Sequence, residues 1–96
     1  MGVRYKTKTN QLRFLLAELR RTLYAHPMVE HGTSRARLTG YSASSVDCEV
    51  FAYVLTTDAV RFLEVQEDLL LRIRDAVDFS GTGFAVPSSV IYAAQD

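Results

Sequence analysis

The side chains able to do chemistry in this 96-residue chain are few and scattered. His26 and His31 stand on either side of Pro27 and Glu30. A metal ion needs three or four convergent ligands with defined geometry, and one short loop offering His26, Glu30 and His31 falls short of that. No metal is expected, and His26 is better read as closing a helix whose C-terminal dipole favours it. Cys48 is the single cysteine, so an intrachain disulfide is excluded. It falls on the apolar side of a strand-like stretch, without a Cys-x-x-Cys partner and with no histidine close in sequence to act as its base, so it reads as a small buried hydrophobe. Gly81-Thr82-Gly83 looks like a phosphate-binding turn only superficially. It follows a helix instead of opening one, and it has neither the P-loop lysine nor the third glycine of a dinucleotide fingerprint. The expectation is a domain that is not an enzyme and takes no cofactor.

The informative residues are aromatic. In the stretch 46–55, Val46, Cys48, Val50, Ala52 and Val54 alternate with Asp47, Glu49, Phe51, Tyr53 and Leu55, the period of a strand with two unlike faces. The second set begins polar and turns apolar, although the open face of a sheet in an isolated domain should meet water. Phe51, Tyr53 and Leu55 are therefore candidates for contact with another protein surface. Sheets of this kind also stack RNA bases on aromatics. Here the in-strand neighbours Asp47 and Glu49 repel phosphate, and Arg35 and Arg37 on the adjacent strand offset this only in part, so no nucleic acid is expected.

The elements that must position these residues follow from periodicity and punctuation. Residues 3–6 read as a short strand, with Val3 and Tyr5 on one side. Thr7 or Thr9 offers a cap for a helix over 10–25, where Leu12, Leu15, Leu16, Leu19 and Leu23 recur at three- and four-residue spacing. Pro27 ends it. Strands at 35–41 and 46–55, joined by a short Ser/Ala-rich turn, make a hairpin. Thr57 or Asp58 caps a helix to residue 79, with a buried stripe of Phe62, Val65, Leu69, Ile73 and Val77 flanked by Leu70. Gly81 suits the left-handed position after it, residues 83–86 are extended, and 90–93 form a last strand. The order β-α-β-β-α-β is the ferredoxin-like α+β arrangement, two helices covering one face of an antiparallel sheet.

Size and composition agree with one domain spanning residues 1–96: hydrophobic residues make up 48% and charged residues 23%, ordinary globular values. No apolar run reaches the roughly 18–20 residues that a membrane-spanning helix needs, and no signal peptide is evident. Net charge is zero, yet residues 1–37 carry eight basic and two acidic groups while 38–96 carry three and nine. Such opposed halves could guide copies together, unless the fold mixes them.

Four segments together resemble one family. The hairpin from Leu38 through Gly40-Tyr41-Ser42-Ala43 and Val46-Asp47-Cys48-Glu49-Val50-Phe51-Ala52-Tyr53 to Asp58 is similar to the C-terminal α/β domain of the MscS family of mechanosensitive channels. So are Arg4-Tyr5-Lys6-Thr7, Leu23-Tyr24-Ala25-His26-Pro27 and the stretch 81–87. The resemblance implies a homo-oligomer, a ring of seven such domains on the cytosolic side of a bacterial inner membrane. They would wall a vestibule below a pore made elsewhere in the chain, which opens under tension in hypo-osmotic shock and releases solutes. It also implies that the open-face aromatics and residues 81–87, Phe84 and Pro87 among them, pack or link that wall. The family's phenylalanine-proline-glutamine ending looks replaced by Val86-Pro87-Ser88-Ser89, and neither the pore helix nor the β-domain before it is present. Membrane contact would then come only from an upstream part of the parent, and the isolated domain would self-associate weakly. The competing expectation is a regulatory ligand-binding or dimerisation module of a soluble enzyme.

Overall fold

A computed structural model describes residues 1–85. Its elements run β1 (Gly2–Arg4), α1 (Thr9–Ala25), β2 (Arg35–Tyr41), β3 (Ser45–Phe51) and α2 (Ala59–Phe79). The sheet order is β1-β3-β2 and both pairings are antiparallel, the split arrangement expected from the order of elements. Beyond α2 the chain returns to the free edge of β1. Arg4 donates to the Gly83 carbonyl, Ala85 donates to that of Gly2, both at 3.0 Å, and Val3 faces Phe84. That is the position of a fourth strand. The strand expected at 90–93 lies outside the described residues.

Each helix has a local reason to begin and end where it does. Lys8 is the N-cap of α1, and its backbone N–H donates to the Gln11 side chain at 2.9 Å, supplying an acceptor to a helix start. Thr7, expected as a cap, instead bonds the hydroxyl of Thr82 at 2.7 Å. Asp58 caps α2 by accepting from Val60 N at 3.0 Å, an arrangement contributing about 1 kcal/mol in general. At its other end Ser80 donates to Ala76 and Gly81 takes φ +83°, a left-handed conformation that a side chain would oppose.

The core lies between the helices and one face of the sheet. Leu15, Leu19 and Leu23 of α1 meet Val65, Leu69, Ala76 and Val77 of α2 above Val3, Ala36 and Val46. The leucine stripe expected of α1 is in place, with Leu12 and Leu16 packed at its margin. One residue of α2 differs from expectation: Phe62, placed in the buried stripe, is 39% exposed, while Leu70, expected at its flank, is 58% exposed. α2 packs mainly on α1, so its opposite flank stands off the sheet. Between them runs an apolar groove of about 360 Å³, with Phe62, Leu70 and Ile73 on one wall and Val50, Ala52 and Val54 on the other. Tyr5 also departs from expectation, since β1 ends at Arg4 and the Tyr5 ring is exposed against Tyr41.

Candidate functional site

The alternation in the third strand assigns its faces as expected. Val46 and Cys48 are buried under the helices, while Asp47, Glu49 and Phe51 lie on the open face. β3 stops at Phe51, earlier than the pattern suggests, because β2 pairs no further than Arg35 with Phe51. Residues 53–55 pass to a different neighbour. Glu30 donates to the Tyr53 carbonyl at 2.9 Å, Leu55 donates to Met28 at 2.7 Å, and Val29 faces Val54. Tyr53 and Leu55 are thereby held in line with Phe51 by a loop, and are 59% and 54% exposed.

Phe51 and Tyr53 meet edge to face with ring centroids 5.1 Å apart. The Arg35 guanidinium sits 4.3 Å from the Phe51 centroid, within the range of a cation–π contact. Arg35 and Arg37 both approach Glu49, at 3.2 and 3.7 Å. The open face therefore carries an aromatic pair framed by two arginines and a carboxylate that shares them. Tyrosine, phenylalanine and arginine in one such cluster are the residue types enriched where proteins meet. A phosphate arriving here would find the two cations already engaged with Glu49.

Phe84 does not join this cluster. It lines the groove on the helix side with Met1, Val50 and Val54, because pairing with Val3 turns its ring that way. Pro87 lies outside the described residues. The exposed apolar residues of α2, among them Val60, Leu63 and Leu71, were not anticipated as surface. Val60 and Leu63 lie three residues apart and Leu71 eight further on, outside the stripe read as buried, and the lean of α2 leaves them uncovered.

The remaining candidates for chemistry diverge. His26 Nε2 lies 2.9 Å from Asp68, Glu30 accepts from Thr33 N at 3.1 Å, and His31 stacks on Tyr24 at 4.6 Å. Among the described residues no group of three or more His, Cys, Asp or Glu side chains is placed to hold a metal ion. Cys48 is buried, and that burial pushes its thiol up, away from the reactive thiolate. Gly81-Thr82 acts as a clasp: Gln11 Nε2 donates to the Gly81 carbonyl at 3.3 Å and Thr82 meets Thr7.

Residues 1–83 match the family model described as the C-terminal region of the mechanosensitive ion channel MscS. The chain belongs to the MscS family. Over 93 residues it is 34% identical to an uncharacterized MscS family protein of Aquifex aeolicus (strain VF5). It is 28% identical over the same length to the low conductance mechanosensitive channel YnaI of Escherichia coli (strain K12). Each alignment covers 96% of this chain but 25% and 27% of those proteins, so the chain spans about a quarter of the MscS-family relatives it matches. The ferredoxin-like domain is thus a module of a channel family, not of an enzyme family. Among the described residues no helix is long and apolar enough to cross a membrane.

Proposed function

We propose that this domain forms part of the wall of a cytosolic vestibule in an MscS-type channel of the bacterial inner membrane, packing beside copies of itself in a ring of seven. The parent would release solutes on hypo-osmotic shock, with tension sensing and conduction residing in other parts of it. The observation that carries the reading is the family match across residues 1–83. The aromatic cluster on the open face supports it, because among the described residues no helix covers the exposed Tyr53 and Leu55 beside Phe51. Phe84, with Pro87 beyond it, would contribute at the groove side or at the link to an adjoining part of the parent.

Self-association tests this reading. The isolated domain is expected to associate weakly, since it presents one set of ring contacts without the rest. The double substitution Phe51→Ser with Tyr53→Ser should return sedimentation to that of a monomer at high protein concentration. A sedimentation profile that the double substitution leaves unchanged removes the open face from the assembly.

A further inference from the structure

His26 is buried, and both of its ring nitrogens are committed. Nδ1 accepts the backbone N–H of Met28 at 3.1 Å, and Nε2 faces Asp68 Oδ2 at 2.9 Å. A ring nitrogen that accepts carries no proton, so the imidazole is neutral and donates its Nε2–H to Asp68. Met28 is also the first residue of the loop ladder that holds 53–55, through its carbonyl to Leu55 N and through Val29 and Glu30 to Val54 and Tyr53. One histidine thus joins the end of α1, the side of α2 and the segment that presents Tyr53 and Leu55.

We propose that His26 is a proton-sensitive latch on that ladder. A proton taken from solvent onto Nδ1 sets one N–H against another, so the Met28 amide loses its acceptor and residues 28–30 loosen their hold on Tyr53 and Leu55. The charged and titratable groups around the ring act in both directions. From α2, Asp68 favours the imidazolium, and Arg72, bonded to the same Oδ2 at 2.9 Å, opposes it. Further along the seam between the helices, beyond Arg72, stand Glu18 and Arg21 of α1 and Asp75 of α2. The loop contributes Glu30, engaged with Thr33, and His31, stacked on Tyr24, while Tyr53 is the titratable side chain of the segment across the ladder. Protonation therefore exchanges one bond for another: the tie to α2 tightens as the tie to the loop is lost. The release is directional, reaching 53–55 and leaving the helix pair seated.

The consequence for assembly rests on the open-face surface proposed above; the latch itself does not. The test is nuclear magnetic resonance on the dilute, monomeric domain from about pH 8 to about pH 5, where imidazole titrates. The neutral form should show the Nε2–H tautomer. Amide protection at Met28 and Leu55 should fall about fivefold, the loss of one net hydrogen bond, with the midpoint of His26, while amides flanking Asp68 keep theirs. His26→Gln accepts and donates but does not titrate, so it should flatten the profile. An Nδ1–H tautomer in the neutral form, or Leu55 protection that stays constant through the titration of His26, overturns the latch. Failure of the sedimentation test alone would leave the latch standing and remove only its bearing on assembly.

Discussion

Asp47 accepts from the hydroxyls of Ser42 and Ser45, Glu18 from Arg21, and Asp68 from Arg72 and His26, and these donors hold all three carboxyls below the usual carboxylate range. A carboxylate stabilised this way binds its proton less readily in the folded state than in the unfolded one. Its contribution is present above the unfolded value of about 4 and is lost as pH falls through the folded value. The urea midpoint is therefore expected to decline as pH is lowered from about 5 to about 3. Asp47→Asn should make that decline shallower, which equilibrium unfolding at several pH values will show. The effect should be modest, since all three groups face solvent. Of the residues that matter, the side taken by Phe51 and Tyr53 was legible in the sequence, because a strand permits only two faces. The side taken by Phe84 was not: it depends on pairing with Val3, a partner 81 positions away, and spacing carries no trace of that. The commitment of both His26 nitrogens was equally hidden, since Asp68 lies 42 positions along the chain.

At the scale of elements, the joint between α2 and the start of α1 is the clearest place to test the fold. Gly81 has φ +83°, and a methyl group built on it would stand 3.1 Å from Gln11 Nε2. Gly81→Ala is expected to cost about 1–2 kcal/mol, the penalty for a left-handed L-residue. Denaturant unfolding should show this as a lower midpoint with an unchanged slope, and an undiminished midpoint would mean that the clasp relaxes freely. The helices, the hairpin and their order could be read from leucine spacing, Pro27, Asp58 and Gly81, because those signals act within a turn or two of chain. The early end of β3 could not. Residues 52–55 continue the alternation of a strand, but their hydrogen bonds go to 28–30 instead of β2, and alternation records facing, not partnership. Phe62 was misplaced for a related reason. A helical stripe shows which side is apolar, and the lean of α2 decides how much of it the sheet covers.

At the scale of the whole molecule, the opposed charge of the two halves is only partly mixed by folding. Arg35 and Arg37 reach across to Glu49, whereas Arg61, Arg72 and Arg74 pair within α2 itself. The pairing of residues 83–85 with β1 has a consequence of another kind. Because the two run antiparallel, with Ala85 beside Gly2 and Gly83 beside Arg4, the first and last described residues emerge side by side at one edge. A load pulling them apart meets the Ala85–Gly2 bond first, then the Arg4–Gly83 bond, and never both at once. The geometry is that of a zip fastener, in which bonds give way in turn, not of a lap joint, in which they share the strain. Optical-tweezer extension between residues 1 and 85 is expected to peel this edge at low force, and a high, single rupture would contradict it. Attached to flanking chain at these two neighbouring points, the domain would hang as a pendant beside the line of tension instead of forming a link within it.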